Sequence, residues 1–367
     1  MENILIKFTE ERKTEIIFSE ALIADAGSYL VSFYENKKIF IVTNPLVKHL
    51  YGETLISGFS RYGFQGKFIE IPDGEEYKNL STASDIYDSL LNGKADRNTL
   101  LVSLGGGVVG DIAGFVASTY MRGIPFIHIP TTLLAQVDSS IGGKTAVDHP
   151  KAKNMIGSFY HPRAVFIDPS VIKTLPLEHI KNGLAEIIKI AVIFSPRLFT
   201  DVNTVISQIL ENNIEVFSTI IREAVKLKVK LVLQDPSEKN QRKYLNFGHS
   251  IGHALEVIFG YQKIFHGEAV ALGMVIEAMI SHDRGLCNLD LKEKIKKIIK
   301  KLNISQKIAI KNINNEKIWE TIAFDKKNKQ GNICFILPEK IGKVHIVEGI
   351  NKREVISALE AFKKEWL

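Results

Sequence analysis

Apolar positions along the chain fall into two textures. In the first part they form short, unbroken runs rich in β-branched and aromatic residues. Residues 39–43 end at Asn44-Pro45, 67–71 at Pro72-Asp73-Gly74, 99–104 in a glycine turn, 124–129 at Pro130 and 164–167 at Asp168-Pro169. Runs of that length, apolar on both faces and closed by turn residues, predict strands of a parallel sheet. Helix-spaced Leu80, Ile86, Leu90 and Leu91 lie in 79–91, and the apolar stretch IAGFVASTY follows the glycine turn. Strands alternating with helices predict a sheet covered on both faces, with ligands at the carboxyl ends of its strands.

Beyond Pro176 the spacing lengthens. Amphipathic stretches at 179–193, 205–233, 248–258, 268–284 and 291–302 predict helices, and only 331–337 and 344–347 read as extended. The pattern thus predicts an α/β class: a Rossmann-like, parallel-sheet nucleotide-binding domain over 1–175 and a mainly α-helical domain over 176–367. A cleft between them is the expected place for a site.

Composition narrows the picture. With 367 residues, 45% hydrophobic and 24% charged, the chain has a globular composition and the length for two domains. The net charge of +6 comes largely from lysine, notably in 292–301 and 326–329. In the first run Ile295, Ile298 and Ile299 form an inner helical face, so the lysines read as its solvated side, and no aromatic residues interleave them as in a nucleic-acid surface. No nucleic-acid or membrane partner is expected; a positive field favours small anions. Two cysteines, Cys287 and Cys334, lack metal or redox spacing and read as free thiols. The first residues lack an apolar stretch of signal-peptide length, and 123–137 is too short and proline-broken to span a bilayer, so a cytoplasmic location is expected.

Candidate chemistry gathers in 245–268, LNFGHSIGHALEVIFGYQKIFHGE, where three histidines and Glu268 interrupt an apolar, glycine-spaced run. His249 and His253 lie one helical turn apart, able to reach a common ion, and His266 follows; three such ligands with an open position suit a catalytic zinc. Glu186, in an otherwise apolar stretch, is a further ligand candidate. Together with Lys189 it also reads as a simple intrahelical ion pair. Arg242, Asn246, His249 and His253 step by 4, 3 and 4, sharing one stripe if the helix begins early enough.

The glycine turn satisfies GxGxxG at Gly105, Gly107 and Gly110, which suits a pyrophosphate but reads equally as a tight strand-to-helix packing turn. Finally, 136–144 and 151–154 form a polar linker with Asp138, Gly142-Gly143 and Lys144. There lysines can neutralise phosphate or carboxylate and Asp138 can hold a hydroxyl.

Taken jointly, DGEEYK (73–78), GGGVVGD, RGIPFIHIPTTLLAQVDSSIGGKTAV, PKAKNMIGSFYHP, LPLEHIKNGLAEIIK, LNFGHSIGHALE, FHGEAVALGMV and the late DKK resemble the 3-dehydroquinate synthase family over almost the whole chain. The resemblance implies an NAD- and zinc-dependent cyclase (cobalt being an alternative ion) acting on 3-deoxy-D-arabino-heptulosonate 7-phosphate, a phosphorylated sugar acid. The implied path is transient oxidation by NAD, phosphate β-elimination, return of the hydride and intramolecular aldol closure, in the shikimate route to aromatic amino acids. It also implies zinc on Glu186, His249 and His266, which moves His253 to the substrate side.

By the same resemblance NAD meets Asn44, Asp73, Gly74, Glu75, Glu76, Tyr77, Lys78, Gly106, Gly107, Val108, Val109, Gly110, Asp111, Thr131, Thr132, Lys144, Lys153, Asn154 and Thr174. The substrate-side and catalytic set comprises Arg122, Asp138, Lys144, Lys189, Lys228, Glu238, Arg242, Asn246, His253 and Lys326, with Asn154 touching both ligands. Arg122 is expected from a second protomer, hence a homodimer. Where the family often has DERE this chain has Asp235-Pro236-Ser237-Glu238, and Pro236 bears on where the following helix begins. Other sugar-phosphate cyclases, a metal-dependent polyol dehydrogenase and a catalytically dead scaffold are the competing readings. KNMIGSFYHP and Arg242 favour a substrate bearing a carboxylate, which a guanidinium pairs in bidentate fashion.

Overall fold

Residues 13–211, 215–260, 263–304, 314–328 and 333–366 are described by a computed structural model. Every predicted apolar run becomes a strand, within a residue or two of its expected ends. In chain order the first part comprises β1 (Glu15–Phe18), α1 (Leu22–Leu30), β2 (Lys38–Thr43), α2 (Pro45–Val47), α3 (Glu53–Ser60), β3 (Gln65–Glu70), α4 (Leu80–Asn92), β4 (Leu100–Gly105), α5 (Gly107–Thr119), β5 (Phe126–Pro130), β6 (Lys144–His149), β7 (Ala152–Phe159) and β8 (Ala164–Ile167). Six strands pair in parallel in the order β1-β8-β5-β4-β2-β3, with Ile39 beside Leu100 and Val102 beside Ile127. Phe40, Val42, Leu101 and Phe126 of the sheet pack with Val109, Ile112 and Val116 of α5 in one apolar core. From β2 the chain steps to β3 on one side and then to β4 on the other. The carboxyl ends of β2 and β4 therefore flank the topological switch point where open α/β sheets bind ligands.

The polar linker expected over 136–144 and 151–154 is not one. Residues Ala135–Ser139 form a π-helical turn, and β6 and β7 form an antiparallel hairpin. Its strands, KTAVDH and AKNMIGSF, break their apolar pairs with polar residues, and β7 is largely exposed, so they lack the apolar run that marks the central strands.

The helical part comprises α6 (Leu177–Phe194), α7 (Pro196–Leu210), α8 (Glu215–Gln234), α9 (His249–Phe259), α10 (His266–Asp283), α11 (Leu289–Lys301) and α12 (Asn315–Asn328), the antiparallel strands β9 (Cys334–Lys340) and β10 (Lys343–Glu348), and α13 (Lys352–Trp366). Expected as one helix, 205–233 is two: α7 starts earlier, where the Ser195 hydroxyl accepts from Leu198 N–H and Pro196 opens the first turn. α6 and α10 are buried almost around their circumference, as central helices are. On α11, Leu291, Ile295, Ile298 and Ile299 are buried and Lys294, Lys297, Lys300 and Lys301 face outward, while Lys292 and Lys296 are largely covered where they pair with Glu365. Both cysteines are free, and no helix among the described residues is long and apolar enough to cross a membrane.

By internal contacts the chain divides into two compact units. The first runs up to Pro130 and includes Gly143–Ile167; the second takes Thr131–Gly142 with everything from Asp168 onward. Relative to a single boundary at 175, the Asp138 segment moves to the helical unit and the start of that unit moves to Asp168.

Candidate active site

In the helical unit, close backbone approach builds the centre. A Cβ on Gly273 of α10 would lie 2.0 Å from the Gly248 carbonyl oxygen, so at this crossing α9 and α10 touch main chain to main chain. Gly248 itself has φ +81, a left-handed turn that ends the preceding 3-10 segment Gln241–Asn246 and makes His249 the first residue of α9. This corrects the expected single stripe: Arg242 and Asn246 lie on the 3-10 segment and only His249 and His253 share α9. At the start of α10, a Cβ on Gly267 would lie 2.2 Å from the Asn182 carbonyl oxygen, and Gly267 N–H donates to the Asn182 side-chain oxygen. Asn182 stands one turn before Glu186 on α6. Three helices thus converge where Glu186, His249 and His266 hold ligand atoms within 4.8 Å of one another.

These groups fit a divalent cation. Glu186 is completely buried; the Lys189 ammonium pairs with it, yet neither carboxylate oxygen accepts a hydrogen bond of proper geometry. Its oxygens therefore keep lone pairs that a metal ion can take in addition to the Lys189 ammonium. His249 faces the Phe247 carbonyl oxygen through Nδ1 at 3.2 Å, which leaves Nε2 for a metal. Burial first, then Lys189 and the two neighbouring histidines, push the His249 pKa well below its ordinary value, keeping the imidazole neutral. His266 presents Nε2 3.7 Å from Glu186 and Nδ1 3.3 Å from Glu256. Burial works against protonation of His266, but Glu256 and Glu186 outweigh it and raise its pKa. Glu256, 8% exposed, went unnoticed in the sequence because its position on α9 reads as an outer helix position. Glu268, grouped with the histidines by its place in the sequence, instead caps α10 by accepting from Phe265 N–H at 3.1 Å.

Beside this cluster lies a set of buried cations. Lys228 of α8 donates to the backbone carbonyl and the carboxylate of Asp138. Burial opposes the charge of Asp138, but Lys228 and then Lys189 hold its carboxyl far below the usual range. Burial, with Lys189 and Arg242 nearby, pushes the Lys228 pKa down against the pull of Asp138. The Arg242 guanidinium, 2% exposed, donates to the carbonyls of Pro236 (2.7 Å) and Gly142 (3.1 Å). Asn246 donates to Glu238 at 3.2 Å, and the Asp235 carboxylate ties the loop by accepting the backbone N–H groups of Lys239, Asn240 and Arg242. Thr131, buried, and Thr132, whose hydroxyl accepts from Ala135 N–H, belong to this unit, as does Thr174, which donates to the Val171 carbonyl. Lys326 lies in α12 with its side chain outside the described residues.

In the sheet unit the residues expected at the nucleotide meet at the strand ends. Asn44, closing β2, caps Val47 N–H and donates to Asp73 at 2.8 Å. Lys78, 5% exposed, donates to Asp111 (2.5 Å) and to Asn154 (2.6 Å), joining the 73–78 loop, the first turns of α5 and the hairpin. Burial works against its charge, but Asp111 and Glu75 hold its pKa above the ordinary lysine value. Lys153 pairs with Glu75 at 2.8 Å. Gly74, with φ +127, brings the Glu76 carboxylate back over the loop, and Tyr77 is exposed. Gly106 offers α5 no side-chain cap, so the first N–H groups, over Gly107, Val108 and Val109, suit an anion, while Gly110 N–H donates to the Gly106 carbonyl at 3.0 Å; Val109 itself is buried against Gly105. Lys144 opens β6, and Arg122 is exposed on a 3-10 turn where Met121, Arg122 and Gly123 all have positive φ.

Comparison with known proteins fits this geometry. The family models described as 3-dehydroquinate synthase N-terminal and C-terminal match residues 68–182 and 183–328. The 3-dehydroquinate synthase of Thermodesulfovibrio yellowstonii is 43% identical over 95% of this chain and 97% of its own length, and that of Crocosphaera subtropica 43% over 95% and 96%. Among solved structures, 2-epi-5-epi-valiolone synthase from Streptomyces hygroscopicus, with NAD+ and Zn2+ bound, superposes with TM-score 0.90 at 25% identity over 98% of this chain and 99% of that one. A 2-deoxy-scyllo-inosose synthase complexed with carbaglucose-6-phosphate, NAD+ and Co2+ gives 0.83 at 26% over 94% and 96%.

Proposed function

The chain belongs to the 3-dehydroquinate synthase family, and from that membership we propose that it is an NAD- and zinc-dependent enzyme converting 3-deoxy-D-arabino-heptulosonate 7-phosphate to 3-dehydroquinate and phosphate. The observation that carries the substrate class is the trio of buried cations, Lys189, Lys228 and Arg242, at 1%, 4% and 2% exposure, gathered beside the candidate metal ligands with Glu186 against Lys189, Asp138 against Lys228, and Glu238, Asp138 and Asp235 around Arg242. Buried together, three such cations are desolvated and repel one another, as the lowered Lys228 pKa reflects, and the proposed substrate brings a carboxylate and a phosphate to offset them.

Glu186, His249 and His266 hold the metal. Asn44, the 73–78 loop, Gly106 to Asp111, Lys153 and Asn154 bind NAD, together with Thr131, Thr132, Lys144 and Thr174. When bound, NAD accepts and returns a hydride while the metal polarises the oxygen at the reacting carbon. The rest is orientation and electrostatics from the chain itself. Arg242, locked by two carbonyls, presents its planar fork to the substrate carboxylate. Lys228 and Lys189 hold anionic oxygens, so the phosphate departs into a region already positive. Asp138 stays ionised and, joined to Lys228, orients a hydroxyl. His253, the most exposed of the three histidines, is placed to exchange a proton with substrate. Arg122 is offered to a neighbouring protomer of a homodimer, and the cytoplasm is the proposed compartment.

Assaying phosphate release from the heptulosonate, glucose 6-phosphate and sedoheptulose 7-phosphate side by side tests the reading. Release from the heptulosonate with no net NADH is expected. Turnover of either other sugar phosphate alone would assign a different cyclase, and NADH rising with product would assign a polyol dehydrogenase.

A further inference from the structure

The histidine cluster contains more donor capacity than one cation uses. His253, Glu256 and His266 form a second group whose ligand atoms also lie within 4.8 Å of one another. His253 and Glu256 stand three apart on α9 and therefore share a face, and His266 presents one ring nitrogen toward Glu186 and the other toward Glu256. The ring centroids of His253 and His266 are 6.1 Å apart. Glu256 is nearly buried while His253 is open to solvent, so this group has an anionic floor and an accessible rim.

We infer that His253, Glu256 and His266 constitute a second, outer site for a divalent cation that shares His266 with the inner one. A carboxylate and two imidazoles are a zinc-type donor set. With both ions bound, the shared ring uses both nitrogens and gives up its remaining N–H proton to solvent, which makes the outer ion the weaker. Its binding takes His253 away from any other partner, so excess metal inhibits the enzyme reversibly. The inference rests on the proposed role of Glu186, His249 and His266 as inner ligands, and its test separates the two.

Metal-free full-length protein is titrated with Zn2+ and its bound metal counted by equilibrium dialysis, with 113Cd resonances as a second readout. The unaltered protein is expected to bind two ions, the second about 100-fold more weakly, the scale on which changes around a metal ligand act. Glu256→Gln is expected to bind one ion with the inner resonance, and His249→Ala one with the outer. His253→Ala, also expected to bind one, serves should Glu256→Gln fail to fold. A single ion at millimolar Zn2+ in the unaltered protein, or two in Glu256→Gln or His253→Ala, overturns the outer site. Two in His249→Ala overturns the inner assignment instead. If Glu256→Gln only loosens the single tight ion, Glu256 merely orients His266 and the inference is wrong.

Discussion

His128 sits in β5 with Nδ1 2.7 Å from the Ser103 hydroxyl, and burial pushes its pKa down from 6.5 to about 4. Between those values the unfolded chain takes up a proton that the folded chain refuses. Stability is therefore expected to rise with pH across that window and level off above it, by about 3 kcal/mol in all. Urea unfolding at pH 4 and pH 7 measures most of the difference, and His128→Gln should flatten it. A slope unchanged in the variant would place its source elsewhere. In the cluster, His266→Ala is expected to lose metal and activity together, whereas Lys144→Ala keeps metal and loses turnover; metal analysis beside the phosphate assay checks both. Loss of metal in His253→Ala with retention in His266→Ala would reverse the ligand assignment. At this scale the sequence showed the histidines because imidazoles stand out in an apolar run. It hid Glu256, whose partner His266 lies on a different helix, and misread Glu268, whose task is local capping.

Elements depend on how closely their backbones can meet. Gly273→Ala forces a methyl group into the Gly248 carbonyl, and main chain cannot swing aside as a side-chain tip can. The expected cost is about 3 kcal/mol, at the upper end for overpacking, with weaker metal binding because His249 begins the displaced helix. Chemical denaturation and chelator competition read the two effects, and a variant with unchanged stability would show that α9 and α10 have room to part. Central strands were legible because an apolar run between turn residues has few other uses. The hairpin of β6 and β7 was not, since polar residues break Ala146-Val147 and Met155-Ile156 into pairs too short to stand out from loop. Equally hidden was the break before α9: a stepping pattern of Arg242, Asn246, His249 and His253 satisfies helical spacing, but a left-handed Gly248 stops the run.

For the whole molecule, the two textures anticipated a sheet unit and a helical unit, and the chain indeed passes from strand-rich to helix-rich sequence near Asp168. What the texture could not reveal is that Thr131–Gly142 packs with the helical unit, because membership there is decided by partners far along the chain: Lys228 for Asp138 and Arg242 for Gly142. Cut between Leu175 and Pro176, the polypeptide yields one piece carrying Asp138 and another carrying Lys228. Neither piece made alone should behave as a finished unit, while mixing them should restore phosphate-releasing activity to a measurable fraction of that of the uncut chain. If the carboxy-terminal piece alone shows a cooperative thermal transition matching that of the intact protein, the excursion is dispensable for folding. Two genes ancestrally spliced end to end would leave a simple seam; here the seam is stitched, so any scheme to exchange one unit for a relative's must carry that short excursion with the later half.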